Sequence, residues 1–131
     1  MNRSLTLCLL LCYCTVLISC HTPARKTVTR ILPFSEYISS YTSGLIGINE
    51  DIRINLNSTP NQASRDQIPS DLIQLDRGVS GKTVLSEGHI LSFHPDKPLQ
   101  SGQVYQVTFK LGKITTVPEI LQQFEFQIKT M

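Results

Sequence analysis

The sequence predicts an all-β protein built as an antiparallel sandwich or small barrel, and three observations lead to this expectation. Apolar and polar residues alternate with a period of two in several segments from residue 31 onward, which is typical of strands that bury one face. These segments are rich in aromatic and β-branched residues, which favour strands. Short turn sequences containing glycine separate them, as expected of closely spaced antiparallel strands. A length of 131 residues favours one domain.

Strict alternation marks four segments, and four shorter apolar runs bring the expected number to about seven or eight strands. In chain order, these segments are 37–41, 45–48, 52–57, 72–75, 82–85, 91–94, 105–111 and 124–129. The inward positions predict a core containing Ile52, Ile54, Leu91, Phe93, Tyr105, Val107, Phe109, Leu111, Phe126 and Ile128. Two segments interrupt the alternation of apolar and polar residues. Asn57–Ser70 is polar and longer than a usual hairpin connection, and Pro118–Gln123 predicts one helical turn.

The first twenty residues differ in kind from the rest of the chain. They contain all four cysteines, so the folded part has no disulfide. Arg3 is the only charge before an apolar run from Leu5 to Ile18, which has about the length of a signal-peptide core. The run is too short for a typical transmembrane helix, which needs about 20 apolar residues.

The run ends in Leu17-Ile18-Ser19-Cys20, which resembles the lipobox of bacterial lipoproteins. That motif implies cleavage between Ser19 and Cys20 and a lipid on the Cys20 thiol. Two or three acyl chains would anchor the protein durably, since each buried methylene contributes about 0.8 kcal/mol. We therefore expect a signal peptide at 1–19, a lipid-anchored tether at 20–33 and one β-sandwich domain at 34–131. The alternative is an ordinary secretory signal in which Cys20 is incidental.

Motifs that would indicate an enzyme, a metal or a cofactor are incomplete. Ser80–Thr83 ends like a phosphate-binding loop, but Asp76 stands where that motif requires glycine. His89 and His94 are five apart on one predicted strand, so they should point to opposite faces. A net charge of +2 gives no clustered basic face for nucleic acid. We expect no enzymatic activity, no cofactor, no metal and no nucleic-acid partner.

One motif fits a sandwich in particular. Leu99 and Gly102 precede Tyr105, which begins the clearest predicted strand. This is the arrangement of a tyrosine corner, in which the ring packs on the core and the hydroxyl bonds to backbone a few residues upstream. The expected role of these three residues is structural.

The run Leu91–Leu99, with Gly102, Tyr105 and the closing strand Phe124–Thr130, resembles the bacterial Ig-like module of surface and envelope proteins. Two further stretches, 41–46 with 51–54 and 109–113 with Val117–Pro118, resemble the first macroglobulin-like domain of bacterial alpha-2-macroglobulins. These are large envelope lipoproteins that trap proteases. The resemblance implies an Ig-like antiparallel β-sandwich of about seven strands.

The resemblance also implies a function: a membrane-anchored, noncatalytic first domain of an alpha-2-macroglobulin-like protease inhibitor, present as a fragment or truncated form. Its partners would be the membrane, through the lipid on Cys20, and further macroglobulin-like domains or an envelope protein. The alternative is a free-standing Ig-like lipoprotein that binds a protein or glycan through Asn57–Ser70. His21 is not the Asp of an inner-membrane retention signal, so we expect the outer membrane, facing the periplasm, with the cell surface as the alternative.

Overall fold

A computed structural model describes residues 31–131. In chain order, its strands are β1 Ile38–Tyr41, β2 Gly44–Ile46, β3 Ile52–Leu56, β4 Ile73–Leu75, β5 Gly81–Ser86, β6 Ile90–Pro95, β7 Val104–Phe109 and β8 Phe124–Thr130. The remaining elements are two short helices, α1 Ile31–Phe34 and α2 Gln62–Asp66, and two 3-10 turns at Leu111–Lys113 and Glu119–Leu121. The predicted signal peptide and residues 20–30 of the predicted tether lie outside the described residues.

The strands form two four-stranded sheets. The first sheet has the order β1-β3-β6-β5, and the second has the order β2-β8-β7-β4. The predicted all-β sandwich is confirmed. It is not wholly antiparallel, however, because β2 runs parallel to β8. The alternation of a sequence shows which residues face the core, but it does not show the direction of the neighbouring strand.

The core lies between the two sheets and consists of the inward positions that the alternation predicts. All ten predicted core residues are buried, from 0% exposure at Phe109 to 8% at Phe126. β7 ends at Phe109, two residues earlier than predicted. Leu111 nevertheless remains 1% exposed, because the 3-10 turn folds it back onto the core.

Aromatic rings close one end of the core. The Phe34 and Phe124 ring centroids are 4.9 Å apart, and Tyr41 lies 4.9 Å from Phe124 and 4.8 Å from Phe126. Phe34 is the last residue of α1 and is 6% exposed. The segment before β1 is thus packed against β8 of the opposite sheet.

The polar segment after β3 crosses from the first sheet to the second and contains a helix that alternation did not predict. The Asn61 side chain caps α2 by accepting a hydrogen bond from the backbone N–H of Ser64 at 2.9 Å. Ser64 is 8% exposed, and its hydroxyl lies 3.5 Å from the carbonyl oxygen of Lys113. The crossing therefore packs against the β7–β8 connection.

Candidate functional site

The most extensive polar contacts surround residues 96–103, which connect β6 of the first sheet to β7 of the second. Tyr105 is 3% exposed, and its hydroxyl accepts a hydrogen bond from the backbone N–H of Gln100 at 3.0 Å. Leu99 is also buried, and its backbone N–H donates to the carbonyl oxygen of Ile48 at 2.9 Å. Two residues of the predicted tyrosine corner thus hold the crossing loop, one through a side chain and one through the backbone.

Thr130 completes this network, and sequence reasoning missed it. The Thr130 hydroxyl donates to the carbonyl oxygen of Gln100 and accepts from the backbone N–H of Gln103 at 3.0 Å. Gly102, at a φ of 72°, donates its backbone N–H to the carbonyl oxygen of Thr130 at 3.1 Å. The positive φ explains why glycine suits position 102. The structure therefore brings Leu99, Gly102 and Tyr105 together around the end of β8.

A signal for Thr130 was present in the sequence. It is the fourth inward position of β8, after Phe124, Phe126 and Ile128, and it is 1% exposed. A polar side chain at an inward position must find hydrogen-bond partners. The alternation of β8 could therefore have predicted that Thr130 bonds to a neighbouring loop.

A shallow cleft of about 460 Å³ lies beside β1, β3 and the start of the polar crossing. Its polar lining residues are Ser39, Asn55, Asn57, Ser58, Thr59 and His89. The Nδ1 atom of His89 lies 2.8 Å from the carbonyl oxygen of Glu87. Among residues 31–131, His89 is the only titratable side chain that lines this cleft, so the described lining offers hydrogen bonds and no paired acid and base.

A second cleft of about 330 Å³ lies beside Tyr105. Arg77 and Lys97 contribute its charged side chains. The Arg77 guanidinium carbon lies 5.9 Å from the centroid of the Tyr105 ring, within the range of a cation–π contact. Leu99, Gln100 and Tyr105 also line this cleft, so it lies next to the hydrogen-bond network that holds the crossing loop.

An ion-pair cluster joins the segment before β4 to the segment after β7. The Asp71 carboxylate accepts from Lys110 Nζ at 2.8 Å and from Lys113 Nζ at 2.6 Å. The hydrogen bond from Lys110 is the largest cause that lowers the pKa of Asp71 from 3.8 to about 2, and the hydrogen bond from Lys113 is the second. The cluster therefore places an ionised carboxylate between two ammonium groups. Its ion pairs hold the two segments together.

The two histidines of the domain are separate from each other. His94 lies at the end of β6, with its Nδ1 atom 2.6 Å from Oδ1 of Asp51. His89 precedes β6, so the expectation that both histidines share one strand is wrong. Glu87 and Gly88 have positive φ and form a turn before His89, so β6 begins only at Ile90. Across residues 31–131, no three His, Cys, Asp or Glu side chains form a group suited to a metal ion.

The predicted lipid-anchor residue Cys20 and the predicted cleavage site between Ser19 and Cys20 lie outside the described part of the chain. Their cleavage and lipidation stay predictions. None of the helices between residues 31 and 131 has the length and apolar character needed to cross a membrane.

Comparison with known proteins shows that this chain is similar in fold to some solved structures. No family model matches the chain, and no curated protein matches it. L,D-transpeptidase 3 from Mycobacterium tuberculosis, solved with a faropenem-derived adduct, is similar with a TM-score of 0.53 at 9% identity, over 74% of this chain and 38% of that one. An L,D-transpeptidase from M. tuberculosis H37Rv has a TM-score of 0.52 at 12% identity, over 72% of this chain and 39% of that one. This chain thus spans about two fifths of the length of these proteins.

These findings overturn the predicted family. The matched structures are L,D-transpeptidases, and no alpha-2-macroglobulin model matches. The macroglobulin-like assignment and the protease-inhibitor function are wrong, and the alternative of a free-standing binding module gains no support. The motifs around Tyr105 that carried the resemblance form the crossing between two sheets. They identify a way of building a sandwich and do not distinguish one family from another.

Proposed function

We propose that the chain is a noncatalytic β-sandwich domain held at a bacterial membrane by a lipid on Cys20, on the periplasmic face of the outer membrane. The sequence Leu17-Ile18-Ser19-Cys20 at the end of an apolar run carries the proposal. A diacylglyceryl group on the Cys20 thiol and an acyl chain on its new amino group would supply the two or more chains that stable anchoring needs.

The described domain suits a structural role at such a surface. Its buried polar side chains Tyr105 and Thr130 bond to the backbone of the crossing loop. Its ion-pair cluster of Asp71 with Lys110 and Lys113 joins two loops. These side chains hold the fold together, and none of them is paired as a nucleophile with a base.

Metabolic labelling with a palmitate analogue tests the lipid anchor. The wild-type chain should take up the label, and Cys20→Ala should lose it. Cys14→Ala is the matched control, because this cysteine lies within the predicted signal peptide, and it should label like the wild type. Equal labelling of Cys20→Ala would contradict the anchor.

Protease treatment of intact and permeabilised cells then distinguishes the periplasmic face from the cell surface. Of these two locations, only the periplasmic face protects the domain from the protease on intact cells.

Faropenem tests the noncatalytic part of the proposal, because an L,D-transpeptidase 3 structure carries a faropenem-derived adduct. We expect the intact mass of a chain in which Cys8, Cys12, Cys14 and Cys20 are all replaced by Ala to stay unchanged after incubation with faropenem. This variant has no thiol, whether or not its signal peptide is removed. A stoichiometric mass increase would show a reactive nucleophile in the domain and contradict the proposal.

A further inference from the structure

We propose that the free edge of β5 is an interaction surface that pairs with β5 of a second copy of this chain, antiparallel and about a two-fold axis. The first sheet has the order β1-β3-β6-β5, so β5 has a partner strand on one side only among residues 31–131. The outer side of an edge strand presents N–H and C=O groups that another strand can bond. The pairing would join the first sheets of two copies into one continuous sheet.

The four edges of the sandwich differ in how well they are protected. β2 and β4 are edge strands of three residues each. β1 has four residues and a break in register between Ile38 and Ser40. Short strands and bulges are the usual protection of a sheet edge, so these three edges are poor templates for another strand.

The β5 edge lacks that protection. It has six residues and pairs with β6 without a shift in register from Gly81 to Ser86. Its loop and turn bonds lie at its ends, where the Ser80 and Ser86 carbonyl oxygens accept from Asp96 and His89. The strand contains no proline, and Lys82 is its only charge. Among the edges between residues 31 and 131, β5 is therefore the longest and most regular.

The side chains of β5 are self-complementary in an antiparallel pair. Val84 is 36% exposed on the outer face of the sheet, together with Lys82 and Ser86. With the two-fold axis at Val84, this residue lies opposite the partner's Val84 and Lys82 lies opposite the partner's Ser86. Apolar cross-strand pairs stabilise a sheet. No like charges face each other, and Lys82 comes within reach of the partner's Glu87.

The pairing is compatible with the proposed lipid anchor and does not depend on it. Antiparallel strands place the two α1 helices at opposite ends of the joined sheet. The eleven residues from Cys20 to Arg30 reach about 35 Å when extended, whereas a six-residue strand is about 20 Å long. Both tethers can therefore reach the same bilayer.

A charge-swap experiment tests the pairing. Two full-length copies with different C-terminal tags are co-expressed, solubilised in detergent and purified through one tag, and the recovery of the other tag is measured. Wild-type copies should purify together. Val84→Lys with itself, or Val84→Glu with itself, should lose most of the recovery, because like charges then lie opposite each other. Val84→Lys with Val84→Glu should restore it.

Val104→Lys is the matched control, because Val104 is also an exposed strand valine, at 42%, but lies on β7 inside the second sheet. It should leave the recovery unchanged, and thermal melts should show that all variants fold. Failure of wild-type copies to purify together would overturn the proposal. So would unchanged recovery with Val84→Lys, or failure of the mixed pair to recover while both variants are folded.

Discussion

At the scale of single residues, the buried hydroxyls of Tyr105 and Thr130 show how the sandwich satisfies polar groups in its interior. Both act on the loop between β6 and β7, and both reach Gln100, one at its N–H and the other at its carbonyl oxygen. A buried donor or acceptor left without a partner costs about 1–3 kcal/mol. The two hydroxyls therefore stabilise the crossing between the sheets more than a surface hydrogen bond would.

Replacing Tyr105 by Phe should lower the free energy of unfolding by about 1–3 kcal/mol, because the backbone N–H of Gln100 would lose its acceptor. Urea denaturation followed by circular dichroism measures this change. Tyr41→Phe is the control, since Tyr41 is half-buried and packs by its ring. It should change the stability by less than about 0.5 kcal/mol. Equal losses in the two variants would show that the Tyr105 hydroxyl has no special role.

At the scale of elements, the alternation of apolar residues was sufficient to predict the strands and the core. All eight predicted segments contain a strand, and the inward residues are those that a period of two selects. The alternation did not predict the direction of neighbouring strands, and it did not predict elements that lack a period of two. The parallel pairing of β2 with β8 follows from a crossing between sheets, and α2 is too short at five residues to show a helical period.

The candidate site was predictable only in part. The order of Leu99, Gly102 and Tyr105 along the chain indicated a corner, since such a motif is local. Thr130 joins the same network from 30 residues beyond Gln100. Only the register of β7 against β8, with Val104 opposite Lys129, brings the end of β8 to this loop. A long-range contact of this kind depends on strand pairing, which alternation leaves open.

The start of β5 depends on glycine, and this gives a second prediction. A Cβ atom at Gly81 would lie 2.4 Å from the Phe93 ring and 2.5 Å from the carbonyl oxygen of His94. Gly81→Ala should therefore shift β5 or Phe93 and destabilise the domain by about 1–3 kcal/mol in urea denaturation. Gly47→Ala is the control, because its nearest contact would be 3.7 Å away. A Gly81→Ala variant as stable as Gly47→Ala would contradict this close packing of β5 on β6.

The Asp71 cluster gives a third prediction, on pH dependence. The folded pKa of Asp71, about 2, is below the unperturbed value of 3.8. The stabilisation is therefore present above about pH 3.8 and is lost as the pH falls towards 2. The difference in unfolding free energy between wild type and Asp71→Asn should be constant near neutral pH and should shrink below pH 3.8.

Urea denaturation at low salt, from pH 7 to pH 2, measures this difference, and added salt should reduce it because the cluster is partly exposed. Asp96→Asn is the control, as no ion pair of Asp96 is found among residues 31–131. A difference for Asp71→Asn that does not change down to pH 2 would contradict the lowered pKa.

At the scale of the whole molecule, this chain resembles known proteins in its fold. The sandwich is similar to part of L,D-transpeptidases with TM-scores of 0.53 and 0.52, at identities of 9% and 12%. At such identities the likeness is one of fold alone, because one fold carries many functions. The alpha-2-macroglobulin resemblance was wrong for the same reason, since it depended on residues that any sandwich with this crossing can use.

We propose that the domain is attached to a membrane through Cys20, and the intact mass of the mature protein is the decisive measurement of this attachment. The mature chain should begin at Cys20 and carry the added mass of a diacylglyceryl group and an acyl chain. A chain that begins at another residue, or that begins at Cys20 with a free thiol, would contradict it.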